Sequence, residues 1–316
     1  MTGSVSNGID GPGPNAFRCS DAARAAGDAM DGTAPPADLW FLVEHAGPWD
    51  AYILTGGRLD ADATAALGRW ARDQRGRVLL VRRPGRTIRG LEPRRWFRVD
   101  SRPGRESIRT GLFSAESELV DVLADPDAGD HHDGPLLLVC THGKHDICCA
   151  VRGRPLAASL AVDLPEAVWE SSHLGGCRFS SAMVLLPHGV VLGDVPVADG
   201  PVVAARYAAG LLPTRWVRGR SALPPAVQAA EHHVRQATDD LRVDAVRPVD
   251  VQQLPAPANE PLWHVSFTDP RAAVVVRERR VLTDRRLTCA ASAPGWLREF
   301  DLIDLVLGTQ TVPTLR

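Results

Sequence analysis

The chain has 316 residues, of which 44% are apolar and 23% charged. That is ordinary globular composition, with length for roughly two domains. A formal net charge of −2 gives no global attraction for nucleic acid or an anionic membrane, and six cysteines are too few for a disulfide scaffold.

In chain order, residues 1–16 (MTGSVSNGIDGPGPNA) carry neither a basic start nor an apolar core and read as a disordered tail rather than a signal peptide. A first α/β unit is expected over 17–124. LWFLVEHAG (39–47) reads as a strand running into a loop and ADATAALGRWARD (61–73) as a helix. RVLLVRR (77–83) and RRWFRV (94–99) read as strands, and FSAESELVDVLA (113–124) as a second helix. The acidic, aperiodic DPDAGDHHDG (125–134) reads as a linker.

A second unit is expected over 135–222. PLLLVC (135–140) is its first strand, CAVRGRPLAASLA (149–161) a helix and AVWESS (167–172) a strand. AMVLLP (182–187) and GVVLGDV (189–195) form a hairpin around His188 and Gly189, and VADGPVVAARYAAGLL (197–212) is a helix. An α+β extension over 223–316 has a helix near 224–242 and strands around 263–267 and 272–281. The fold class is therefore α/β, with two small α/β units and this extension. LVEHAGPWD (42–50) and LVCTHGKHD (138–146) share Leu, Val, Gly and Asp at matching offsets. This echo would make the two units domains of one type, with the thiols in the second only.

Four of the six cysteines fall within residues 140–177. Cys140 and Cys149 span a polar loop that leaves a strand and enters a helix; His173 and Cys177 span Leu174, Gly175 and Gly176. Two pairs on two loops make a four-ligand set, and soft thiolates favour zinc, Cu(I) or an iron–sulfur cluster over hard cations. The separation of Cys140 from Cys149 fits a zinc knuckle poorly. Gly175 and Gly176 would let the backbone turn tightly and bring N–H groups towards bridging sulfides. Lys144, which is the single lysine among 36 basic residues, and Arg178 either supply positive charge beside the site or are solvated.

VCTHGKHDICCAVRGRPLA (139–157), WESSHLGGCRFSSAMVLLPHGVVLG (169–193) and WVRGRSALPPAVQAAE (216–231), with the opening stretch 17–50, resemble the sucrase/ferredoxin-like proteins. The resemblance implies a thioredoxin-like ferredoxin over the second unit. It also implies a [2Fe–2S] cluster passing single electrons between a donor and an acceptor protein that the sequence does not identify. Carried over by position, Cys140 and Cys149 match the family's two thiolates, Cys149 rather than Cys148 standing at the family's offset from Asp146. His173 matches the first histidine of an HxGGH-like loop. Cys177 stands where the family has the second histidine, so either three Cys and one His hold the cluster or a fourth ligand comes from elsewhere. Exchanging imidazole for thiolate adds a negative charge, which lowers the potential relative to a two-His site.

Other classes stay open: a reductase of a small oxidised or iron-bearing compound, a redox or iron–sulfur sensor, and a structural zinc protein. Cys148 reads as a small buried hydrophobe, Cys19 and Cys289 as structural, and His142 and His145 as loop residues near the site. The paired histidines at 131–132 and 232–233 read as surface. Ten arginines between Arg82 and Arg109 are either a solvated bias or a docking face for an acidic redox partner. No Walker loop, GxGxxG or GxSxG elbow is present. No apolar stretch approaches the roughly 18 residues that cross a bilayer, and the expectation is a cytoplasmic protein with reduced thiols, without nucleic-acid or membrane partners.

Overall fold

The structure, a computed structural model, describes residues 17–85 and 93–308. The tail expected over 1–16, the last residues of the extension (309–316), and Arg86 and Arg89 of the arginine stretch lie outside the described residues.

The first half runs α1 (Cys19–Ala26), β1 (Leu39–Glu44), α2 (Ala61–Asp73), β2 (Gly76–Arg82), β3 (Arg94–Asp100), β4 (Ser107–Phe113), α3 (Glu118–Ala124) and β5 (Asp130–His131). The second runs β6 (Leu136–Cys140), α4 (Ile147–Asp163), β7 (Val168–Ser171), β8 (Met183–Leu186), β9 (Val190–Leu192), α5 (Gly200–Ala208) and β10 (Val217–Arg220). In each half a strand, a helix and a parallel strand precede an antiparallel hairpin. β1 pairs parallel with β2 and antiparallel with β3, which pairs with β4. β6 pairs parallel with β7 and antiparallel with β8, which pairs with β9. The echo between 42–50 and 138–146 is thus one of topology, since each peptide is the first strand of its unit running into the loop beyond it. The halves meet where β2 and β7 pair antiparallel, Val81 opposite Ser171 and Arg82 opposite Glu170. One continuous sheet results, in the order β10-β9-β8-β6-β7-β2-β1-β3-β4-β5.

Alternation along the strands divides the core between two faces. Trp40 and Leu42 of β1 and Leu136, Leu138 and Cys140 of β6 share one face. Their neighbours Phe41 and Val43 face α2 and α3 through Leu67 and Leu119. Leu137 and Val139 likewise meet Leu156 and Leu160 of α4 and Val203 and Tyr207 of α5. Each fully buried large side chain contributes roughly 1.5–3 kcal/mol of apolar burial. The face that carries Cys140 is closed by Cys19 at the start of α1, by Ala34 and Ala37, by Cys148 and Cys149 in the first turn of α4 and by the loop of Leu174 and Cys177.

The extension adds α6 (Pro225–Thr238) and a four-stranded antiparallel sheet of β11 (Pro248–Leu254), β12 (Leu262–Thr268), β13 (Arg271–Leu282) and β14 (Trp296–Leu307). Ala226, Ala229, Ala230 and Val234 of α6 pack on Val265, Phe267, Val274 and Val276. The loop between β13 and β14 returns to the N-terminal segment, where Arg285 pairs with Asp28 and Arg286 lies 4.3 Å over the Phe17 ring.

Three expectations change. Residues 107–113, which begin inside the arginine stretch, form β4, so the helix expected from 113 begins at Glu118; Ile108 and Thr110 are buried at strand spacing, while Phe113 turns into the opposite face with Phe41 and Leu119. The stretch 125–134 is not only a linker: Asp130 and His131 pair with β4 as the sheet's edge strand. The helix expected over 197–212 is limited to Gly200–Ala208.

Candidate metal centre

Cys140 is the last residue of β6, buried on the face closed by Cys19, Leu174 and Cys177. The loop after it turns back through His142, whose carbonyl accepts from the backbone N–H of His145 at 3.1 Å and of Asp146 at 3.0 Å. Asp146 then caps α4, its Oδ1 accepting the Cys148 N–H at 2.9 Å. An acceptor at this position satisfies one of the helix's free amides and fixes where the first turn starts. Consecutive residues in that turn point about 100° apart, so Cys148 and Cys149 face different neighbours. Gly153, one turn further, lies against the end of β6: a Cβ there would overlap the Cys140 carbonyl oxygen and stand 3.0 Å from its carbon. The absence of a side chain lets α4 come close enough for Cys149 to reach Cys140.

The second loop leaves β7. Gly175 and Gly176 have φ of 100° and 74°, which only glycine takes without strain, and Cys177 opens a short 3₁₀ turn (Cys177–Phe179). The four residues expected from the sequence meet through overlapping groups: the ligand atoms of Cys140, Cys149 and His173 lie within 4.8 Å of one another, as do those of His145, His173 and Cys177 and those of Asp146, Cys149 and Cys177. Cys177 Sγ is 3.5 Å from His173 Nδ1. Sulfur and nitrogen on one tetrahedral ion sit about 3.6 Å apart given ordinary metal–ligand lengths. The three thiols are buried and His173 is half-buried, so the imidazole forms the solvent side of the site.

The neighbouring histidines support this loop. The His145 ring stacks on His173 with centroids 3.7 Å apart, and its Nδ1 lies 3.0 Å from the Ala51 carbonyl oxygen. His142 is buried, and its Nδ1 accepts the His173 N–H at 3.2 Å. Burial, then the proximity of His145 and His173, pushes His142 down to about 4. Its neutral ring can therefore stay an acceptor at neutral pH. The neighbouring Cys149 thiol, then burial, holds the Cys140 thiol well above its usual range. For Cys149 the Cys140 thiol acts downward, but Cys177 and burial outweigh it and hold Cys149 above its usual range too. Three thiols this close and this buried become thiolates when a cation arrives to pair with them.

Two cations that sequence reasoning passed over stand behind the site. Arg77 of β2 is half-buried and donates to the His173 carbonyl at 3.2 Å. Arg218 of β10 is buried and donates to the Gly175 carbonyl at 2.9 Å and the Thr33 carbonyl at 2.6 Å. Burial lowers both, Arg218 to about 9 with Arg178 and Arg77 adding to the fall, and a thiolate at Cys140 would offset this for Arg77 and one at Cys177 for Arg218. Gly176 leaves room for Arg218, since a Cβ there would stand 2.8 Å from its guanidinium carbon. Against 35 arginines nothing in the sequence marks these two. Of the basic residues singled out beforehand, Lys144 turns outward to Asp50 at 2.7 Å and is more than half exposed. Arg178 pairs with Asp28 at 3.3 Å. Several arginines of the 82–109 stretch are also spent internally, Arg82 on Glu170 at 2.7 Å and Arg94 on Glu116 at 2.8 Å.

The remaining cysteines form a second group. Cys148 Sγ lies 3.3 Å from Cys289 Sγ, which lies 3.7 Å from Cys19 Sγ, and the carboxylate of Asp146 joins them. Positions 19, 148 and 289 are too far apart in sequence for spacing to reveal this.

A family model described as sucrase/ferredoxin-like matches residues 30–210. The chain belongs to the sucrase/ferredoxin-like family. The matched span covers both halves of the ten-stranded sheet up to α5 and contains the loop after β6 and the loop after β7; β10, α6 and the four-stranded sheet lie beyond it. No curated protein and no solved structure matches the chain. Among the described residues no helix is long and apolar enough to cross a membrane.

Proposed function

We propose that this protein transfers single electrons through a [2Fe–2S] cluster held by Cys140, Cys149, His173 and Cys177. The observation that carries this reading is the convergence of three buried thiols and one half-buried imidazole on one socket. Half-buried Arg77 and buried Arg218 hold the carbonyls of its second loop, at His173 and Gly175, where thiolates at Cys140 and Cys177 would offset their charge. The donor set fits: soft thiolates suit iron–sulfur clusters, and replacement of cysteine by histidine on one iron is an established variation. Such a cluster supplies a one-electron couple. The chain's own part is to exclude water from the three sulfurs, hold the imidazole at the surface where a partner can approach, and place two guanidinium charges against added negative charge. His145, stacked on His173, fixes the ring plane. Donor and acceptor are proteins of unassigned identity.

The test is anaerobic purification followed by visible absorption, iron and sulfide analysis, and EPR after dithionite reduction. A coloured protein with about two irons and two sulfides per chain and a reduced S = 1/2 signal is the expected result. A colourless protein that takes zinc in place of iron at this socket would overturn the reading.

A further inference from the structure

Cys19 begins α1, Cys148 sits in the first turn of α4, and Cys289 lies in the loop between β13 and β14. Three distant parts of the chain therefore deliver one thiol each to the same point. Cys148 and Cys289 sulfurs are 3.3 Å apart and Cys289 and Cys19 sulfurs 3.7 Å apart, well beyond the roughly 2.05 Å of a disulfide. Asp146 completes the group, its Oδ2 lying 3.5 Å from Cys19 Sγ. A tetrahedral zinc ion with bonds of about 2.3 Å to sulfur and about 2.1 Å to oxygen spaces its sulfurs about 3.8 Å apart and its sulfur and oxygen about 3.6 Å apart. The observed edges approach those of such a tetrahedron.

The carboxylate is also held as a metal ligand usually is. Asp146 Oδ1 accepts the Cys148 N–H at 2.9 Å and Oδ2 accepts the Cys289 N–H at 2.8 Å. Each oxygen keeps a lone pair for a cation, and backbone donors of this kind orient ligating carboxylates in known sites.

We propose that Cys19, Cys148, Cys289 and Asp146 form a second metal site, which binds one zinc ion and fastens the four-stranded sheet to the ferredoxin unit. Three thiolates with one carboxylate suit zinc, which accepts sulfur and oxygen together; Cu(I) would be satisfied by the sulfurs alone. The site is closed by four protein ligands, as structural zinc sites are. Its role follows from where the ligands come from: α1, α4 and the β13–β14 loop cannot separate while the ion is held. Asp146 lies between the two cysteine groups, with Cys149 and Cys177 on its other side.

The test uses untagged full-length protein purified with reductant from zinc-supplied cells, analysed for zinc, iron and sulfide, with zinc K-edge EXAFS on the wild type. The expected result is about one zinc per chain with a shell of three sulfurs near 2.3 Å and one oxygen. Cys289→Ser and Cys19→Ser should each lose at least nine-tenths of the zinc while iron and sulfide stay at wild-type levels. Absence of zinc from the wild type, retention of zinc in both variants, or an EXAFS shell containing imidazole would overturn the proposal. So would a Cys148–Cys289 disulfide in the reduced preparation. The EXAFS result does not depend on whether either variant folds, and it separates this site from the socket that contains His173.

Discussion

Gly153→Ala tests whether the approach of α4 to β6 builds the socket. On an ordinary helix surface this change stabilises by about 1 kcal/mol, because glycine is the poorer helix former. Here the new Cβ would overlap the Cys140 carbonyl oxygen and stand 3.0 Å from its carbon and 3.5 Å from Thr141 Cγ2. The overlapping atom is backbone, so no rotamer change relieves it and the helix must move. Overpacking of this kind costs typically 1–3 kcal/mol. With the worst contact on the main chain, the upper end applies, about 3 kcal/mol, and subtracting the helix gain leaves a net loss of about 2 kcal/mol. The same shift carries Cys149 away from Cys140, so iron content should fall several-fold. Urea unfolding followed by circular dichroism gives the first quantity and iron analysis of freshly purified protein the second. A Gly153→Ala protein as stable as the wild type or more so, with full iron, would refute the argument that this glycine sets the Cys140 to Cys149 approach.

Arg77→Met should lower the reduction potential. A unit charge several ångströms away at an effective dielectric constant of about 20 is worth roughly 2 kcal/mol, or about 90 mV for one electron; a mediated redox titration that shows no fall would count against Arg77 as the compensating cation. The wild-type potential itself should lie between about −400 mV, typical of all-thiolate plant-type clusters, and the range that begins at about −150 mV for two histidine ligands; a value outside that window would contradict mixed ligation. His188 is pushed below its usual range by burial, then by Arg220, and its Nδ1 lies 2.7 Å from the Tyr207 hydroxyl. The folded state thus favours its neutral ring, and that stability is full above the unfolded value of about 6.5 and is lost as pH falls through the folded value, by at most about 1.4 kcal/mol per pH unit. His188→Gln should flatten the fall in urea midpoint between pH 7 and pH 5; an unchanged slope would show that His188 does not drive it.

Much of the fold is legible because the buried strands are continuous apolar runs. LLLVC and MVLL can be little else, and β1, β2 and β3 stand out in the same way. β4 is hidden because it starts amid a basic stretch, and because Leu112 is exposed and Phe113 buried out of step with Ile108 and Thr110. The pairing of β2 with β7, which turns two units into one sheet, rests on two residue pairs and leaves no periodic trace. At the site, the thiols and glycines are readable from their spacing, since strand end, helix start and tight turn are local events. Arg77, Arg218 and the group of Cys19, Cys148 and Cys289 are products of the tertiary fold. Arg77 looks like any strand-edge arginine, and Cys148 is told from Cys149 only by where the first turn of α4 points each of them.

That distinction also gives the most direct test of the account. Cys148→Ser and Cys149→Ser, prepared side by side under anaerobic conditions, differ by one position along the chain and remove the same atom. Iron, sulfide and the reduced EPR signal should be lost in Cys149→Ser and kept at wild-type level in Cys148→Ser. Equal iron in both, or loss in Cys148→Ser with retention in Cys149→Ser, would contradict a cluster held by Cys140, Cys149, His173 and Cys177.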